Sequence, residues 1–353
     1  AAATAAAAAH AALRARLRQL AAAPVDDPPP AGAAASSVMT DCPLPPRLCA
    51  ALVAEPAAEL PTLAPVREST LAAQAHLLVK NLTTSGAPWA AADRFGTLVA
   101  HLETISATGR APKTLPPVVV RGVFEQRLGE RTRWARAVRA TYLAMVREPS
   151  EANIDALLRA ISRDGILLLF GHRNTVGTID ELCPPVTTLI SSFCATQNGD
   201  LTVGGRALTK HSHRSEGFWP PIASNAAHKS LVALDALSQI LTQAQWINVH
   251  GVQSGNWRHL PIVEIRGPGL YGARWTADGT AFRGFLEPFS PFLDSKKKPP
   301  AAQPATQPNA HALVAAGATG GASANLNTAA GTAPAAALRM EEAPSDVRQC
   351  CVQ

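Results

Sequence analysis

Residues 246–289 read WINVHGVQSGNWRHLPIVEIRGPGLYGARWTADGTAFRGFLEPF, and this stretch decides the fold. Asp278-Gly279 accepts the positive φ angles of a tight hairpin turn, and strand-like runs flank it at 271–276 and 281–287. Upstream, 246–252 and 260–266 read as two more paired strands joined by the loop 253–259. The expectation is therefore an antiparallel β-meander.

Working outward from it, the residues after Trp219-Pro220-Pro221 give the clearest helix of the chain. Ser224 is its expected cap, and Ala227, Leu231, Leu234, Leu237 and Leu241 line one face. Before it lies LTVGGRALTKHSHRSEGFW (201–219), entered through the turn Asn198-Gly199-Asp200. Residues 184–194 are apolar and rich in Ser and Thr, and fit a helix or a strand. The short apolar run 166–170 reads as a buried strand, following a helix 151–161 capped by Ser150 and ended by Asp164-Gly165. Residues 67–81 and 88–105 each put apolar side chains on one helical face, which predicts an antiparallel helical hairpin. The fold class is α+β: N-terminal helices and one long helix packed on an antiparallel β-meander, with disordered low-complexity termini.

Composition sets the boundaries. The chain has 353 residues, 47% of them hydrophobic, but alanine at the ends inflates that figure. Residues 1–65 read as an Ala/Pro-rich extension, 66–293 as a single folded α+β domain and 294–353 as a disordered tail. The Ala-rich, Arg-bearing, acid-free start has the character of an organellar transit peptide or of a codon-biased extension. Six scattered cysteines do not form a secreted disulfide framework and favour a reducing compartment. No apolar run approaches the ~20 residues that a membrane span needs.

Net charge is +6 and the pI about 9.2, compatible with nucleic acid or an anionic membrane surface. The candidate helix 118–147 is the most basic segment, carrying Arg121, Arg127, Arg131, Arg133, Arg136, Arg139 and Arg147. It could lie along RNA phosphates, with Trp134 and Tyr142 stacking on bases. The arginines fall all round that helix, so a solvated face is the favoured reading and nucleic acid the less favoured partner.

Lys210-His211-Ser212-His213-Arg214 is the densest chemistry in the chain. If extended, His211 and His213 share a face and could hold one metal with His172, His228 or His250. Without metal, one histidine serves as a general base while Arg206, Arg214 or Arg274 holds a phosphate. No HExxH helix or paired CxxC supports the metal version, so no metal site and no cofactor is assigned. The tentative catalytic set is His211, His213 and Arg214. His172 and Arg173, just after the apolar run 166–170, join Arg206, Trp257 and Arg274 as ligand-binding candidates. Glu264 and Glu287, on neighbouring strands, are an alternative acid/base pair, while Glu264-x-Arg266 also reads as an ion pair on the sheet. The absence of GxxxxGK[ST], GxGxxG and GxSxG argues against three common enzyme classes.

The chain ends Cys350-Cys351-Val352-Gln353, a C-a-a-X pattern that points to prenylation of Cys350, with Lys296-Lys297-Lys298 as a second membrane signal. This tail argues for a cytoplasmic protein held at a membrane surface, in conflict with organellar targeting. The blocks LTVGGRALTKHSHR, WINVH and YGARWTADGTAFRGFLEP resemble an uncharacterised plant and algal protein family, a resemblance that implies no activity. The ending also resembles that of prenylated small GTPases, a family excluded by the missing phosphate-binding loop. The leading expectation is a binding or adaptor module of unknown ligand and protein partner, tethered through Cys350. The alternatives are a His/Arg-dependent enzyme on an anionic or phosphorylated substrate, and an RNA-binding protein.

Overall fold

The computed structural model describes residues 2–23, 42–55, 70–112, 131–175, 177–212, 218–222, 225–251 and 260–288. Its centre is a four-stranded antiparallel sheet in the order β3 (Trp246–Gly251), β4 (Pro261–Arg266), β5 (Gly272–Thr276), β6 (Phe282–Leu286). Alternation along each strand gives the sheet two unlike faces. Ile247, Val249, Val263, Ile265, Ala273, Trp275 and Phe285 enter a hydrophobic core. Register places Asn248 beside Glu264, Glu264 beside Arg274 and Arg274 beside Gly284, so the opposite face is polar. The Asp-Gly turn forms as expected: Gly279 has φ +74°. Asp278 closes it by accepting from the Thr276 hydroxyl (2.5 Å) and the Thr280 N–H (3.0 Å).

The core under the apolar face is completed by α3 (Thr70–Thr84), α7 (Val186–Cys194), α8 (Val203–His211) and α9 (Ala226–Thr242). Asn225, one residue beyond the expected Ser224, caps α9 by accepting the His228 N–H at 2.9 Å, a bond worth about 1 kcal/mol. Buried Ser230 ties α9 to the short β1/β2 pair (Thr196–Asn198 and Leu201–Thr202), accepting the Thr202 N–H at 3.0 Å and donating to the Asp200 carbonyl at 2.8 Å. Trp275 donates its indole N–H to the Leu189 carbonyl at 3.1 Å, fixing α7 against the sheet.

A second hydrophobic cluster gathers α1 (Ala2–Ala21), α2 (Pro46–Val53), α4 (Arg94–Thr108), α5 (Arg131–Arg147) and α6 (Glu151–Leu169). The expected hairpin of α3 and α4 is thereby replaced: α3 packs on α7 and α9, whereas α4 packs on α5 and α2. The expected extension 1–65 also contains structure. Ala9, Leu13, Leu17 and Leu20 form a stripe at helical spacing that is buried in this cluster. Arg16 grips Asp155 with two 2.9 Å bonds and docks α1 on α6.

Residues 166–169 are helix rather than strand. Ser162 takes φ 63°, interrupting α6, and the chain then resumes its helix through Leu169 instead of stopping at Asp164-Gly165. An apolar run buried on all sides carries no period by which to tell helix from strand, and here it fills the second cluster. On α5, Trp134, Val138, Tyr142 and Met145 point inward, while Arg131, Arg133, Arg136 and Arg147 are exposed. The arginines therefore share a solvent side rather than encircling the helix. Trp134 donates to the Ile161 carbonyl and Tyr142 bonds His10, so neither ring is free to stack on a base. Arg121 and Arg127 lie outside the described residues, as does the whole tail with Cys350.

A strap following α6 lies along the outer edge of β3. The Arg173 N–H donates to the Ile247 carbonyl, the Ile179 N–H to the Val249 carbonyl and the Gly251 N–H to the Gly177 carbonyl. Among the described residues no helix is long and apolar enough to cross a membrane.

Candidate functional site

The polar face of the sheet is organised by Glu264, whose side chain is 5% exposed. Arg266 Nε donates to its Oε1 at 2.6 Å, and Arg274 Nε and Nη2 donate to its Oε2 at 3.3 and 2.8 Å. His250 Nε2 stands 3.6 Å from the same Oε2. Burial by itself raises the pKa of this carboxyl, but the imidazole of His250 and the two guanidiniums more than offset burial and hold it well below the usual carboxylate range. Glu264 is thus an anion at neutral pH that aims the two arginines.

Helix α8 delivers the second element. Thr202 caps it by accepting the Gly205 N–H at 2.9 Å, and the helix ends at His211. The Nδ1–H of His211 donates to Glu287 Oε1 at 2.5 Å, just beyond the end of β6. In the neutral imidazole such a bond leaves the lone pair on Nε2. Trp219 and Phe285 flank the ring at centroid distances of 6.4 and 6.5 Å. Nε2 faces Gly284, where a Cβ would begin 3.9 Å away. Gly284 has φ +136° at the bulge opposite Arg274 and Trp275, a backbone state that a side chain would strain.

The two elements meet. Arg274 and Gly284 are register partners, and Arg266 Nη1 reaches the Glu287 carbonyl at 3.2 Å. A cleft of about 520 Å3 opens beside them, lined among others by His211, Arg274, Thr276, Asp278, Arg283 and Gly284. Its walls thus include the imidazole of His211 and the side chains of Arg274 and Arg283, together with two acids: Asp278, and Glu181, which Arg47 meets at 2.6 Å.

The other sequence candidates lie elsewhere. His172 is buried and bonded on both nitrogens, with Nδ1 to the Phe170 carbonyl (3.1 Å) and Nε2 to the Cys183 N–H (2.9 Å). Burial, then the charge of Arg94, pushes its pKa down to about 4, so it is a neutral strut and takes no ligand. Arg173 Nη2 donates to the Gln245 carbonyl and fastens the strap to β3. Arg206 projects from the exposed side of α8, and His228 from the first turn of α9. The extended geometry proposed for His211 and His213 does not occur, because 203–211 is helical. His213, Arg214 and Trp257 fall outside the described residues. Among the described residues no three His, Cys, Asp or Glu side chains gather as metal ligands would. Glu264 and Glu287 do not pair as acid and base: the first is taken by Arg266 and Arg274, the second by His211. The role of Glu287 as partner of His211 was missed in the sequence, as was the place of Arg283 in the cleft. Period-2 counting from Arg274 marks the polar face, but no local pattern joins residues 76 positions apart.

Residues 191–287 match the family model of the CdiA C-terminal tRNase toxin domain. The matched stretch starts within α7 and ends at Glu287, so it takes in α8, α9, the whole sheet and the His211–Glu287 pair. Helices α1 to α6 lie outside it. No curated protein and no solved structure matches the chain.

Proposed function

We propose that residues 191–287 form a ribonuclease region that acts on tRNA, using the cleft between α8 and β6. The observation that carries this reading is the placement of His211, with Nδ1 held by Glu287 and Nε2 turned toward a cleft that Arg274 also lines. The similarity of this stretch to a tRNase toxin domain supports it independently.

The chemistry follows from RNA itself. Its 2′-hydroxyl sits beside the phosphodiester and is the group that separates RNA from DNA. His211 Nε2 takes the 2′-hydroxyl proton as the oxygen attacks phosphorus. The P–O2′ bond forms, the P–O5′ bond breaks, and the imidazolium returns the proton to the departing 5′-oxygen. Glu287 stabilises the imidazolium during the interval. Arg274, pre-aimed by Glu264, meets the charge that builds on the phosphate oxygens at no reorganisation cost. The products are a 2′,3′-cyclic phosphate and a 5′-hydroxyl end. The exposed arginines of α5 would add non-specific attraction for the polyanion.

The test is incubation of the full chain with bulk tRNA and, separately, with single-stranded DNA of similar length, followed by end analysis. Cleaved tRNA bearing cyclic-phosphate ends and intact DNA are expected. Uncut tRNA, or DNA cut at the same rate, would remove the proposal, since either outcome leaves the 2′-hydroxyl without a role.

A further inference from the structure

A second pocket, of about 530 Å3, lies where the two hydrophobic clusters adjoin and is separate from the cleft beside His211. It is bounded by the end of α2, one face of α3, the start of α4 and the first turn of α7. Its floor includes Arg94, a guanidinium-bearing residue that is only 9% exposed. Arg94 donates to the backbone carbonyls of Cys183 and Ala51, but none of the described carboxylates pairs with it. Burial shifts its pKa downward, as expected of a cation taken from water without a counter-charge. Such a charge is costly unless something anionic meets it.

Three further features of the pocket suit an anion as donors or positive ends. Helix α7 begins at Val186 after Pro185, and among the described residues no side chain caps it; the Pro185 carbonyl takes the Thr188 and Leu189 N–H groups, and the positive end of the helix lies at the pocket. Thr187, in that first turn, has a buried hydroxyl with no hydrogen-bond partner among the described residues. Lys80 and His76, one turn apart on α3, line the same space, and His76 commits only Nδ1, to the Ala72 carbonyl. The acid in the pocket, Glu55, is met by Arg14 and Arg18 at 3.4 and 3.3 Å. Val79, Ala90 and Val186 provide apolar wall.

We infer that this pocket binds a small phosphorylated molecule, its phosphate seated between Arg94, Lys80 and the N-terminus of α7 with Thr187 as an added donor. A phosphate monoester carries close to two negative charges at neutral pH, and helix N-termini bind such groups through free N–H donors. A carboxylate would leave one of the two cations unanswered. The volume falls in the range of roughly 300–1,000 Å3 usual for small-ligand sites, leaving room for an organic portion against the apolar wall.

The test is calorimetric titration of inorganic phosphate into the full chain at constant ionic strength, with chloride as the control. Saturable binding at one site is expected. Lys80→Glu, an exposed position, should weaken it by about tenfold or more, the scale of one charge-assisted bond. Arg94→Gln should abolish it; should that variant fail to fold, Lys80→Glu and Thr187→Val decide alone. Heat indistinguishable from chloride, or unchanged affinity in both of those variants, overturns the inference. Because the readout is binding heat and not RNA cleavage, this site and the ribonuclease reading stand or fall separately.

Discussion

The two faces of the four-stranded sheet are made by the same strands, yet they do different work. On one face Val249, Val263, Ile265 and Trp275 are sealed against α7 and α9, each of them fully buried. On the other, Glu264 holds Arg266 and Arg274 in place, and the chain runs on to Glu287 and His211. The apolar face gains from being non-directional: any well-fitting side chain serves. The polar face gains from direction, since each arginine is aimed by a bond whose loss would misplace it. Stability and activity should therefore come apart when the faces are altered one at a time.

The sharpest separation is expected from His211→Ala. It should lower the rate of tRNA cleavage by about 10²–10⁴-fold, the usual weight of a general acid/base, while costing about 1.5–3 kcal/mol of stability for the lost bond to Glu287. Trp275→Ala should do the reverse. Emptying that site and orphaning the Leu189 carbonyl should cost about 3–5 kcal/mol in denaturant unfolding, comparable to the largest core truncations. Equal loss of stability in both variants would break the comparison. Glu264→Gln lies between them: it leaves two guanidiniums without their anion, costs about 3 kcal/mol of stability and lowers cleavage as well, since Arg274 is released.

Acid titration adds a control outside both faces. The folded pKa of His172, about 4, lies below the ordinary imidazole value of 6.5, so between those values the unfolded chain binds the proton first. Its contribution is complete above pH 6.5 and lost as pH falls through 4, about 3 kcal/mol in all. Glu264 is also depressed, so its contribution is complete above the ordinary carboxyl value of 4.5 and is lost only in stronger acid. Unfolding free energy measured against pH should therefore decline in two windows, and His172→Gln should flatten the upper one alone. The smallest effect is expected at the hairpin tip, where Asp278→Ala removes bonds to Thr276 and Thr280 at an exposed turn and should cost about 1 kcal/mol.

How much of this was legible depends on where the information resides. All four strands of the sheet could be read in 246–289, because turn chemistry and strand-like runs are local signals. Helix α8 could not: Val203-Gly204-Gly205 has poor helical propensity, and only the Thr202 cap and packing on α7 and α9 commit it. Helix α1 was hidden by its alanines, which drew attention to composition and away from the leucine stripe at 13, 17 and 20. At the cleft, His211 and Arg274 were among the sequence candidates, but their neighbourhood was not. Glu287 is joined to His211 only by the way α8 lies on β6. His172 looked equally reactive in the sequence, and only its two satisfied nitrogens show it to be a strut.

The strap laid along β3 also bears on how copies of this chain meet. An outer strand with open carbonyls and amides invites another chain to extend the sheet, a common route to aggregation. Here the Ile247 and Val249 carbonyls and the Gly251 amide are already taken by Arg173, Ile179 and Gly177. A newcomer would have to peel the strap away, and Arg173, which also grips the Gln245 carbonyl, would have to let go first.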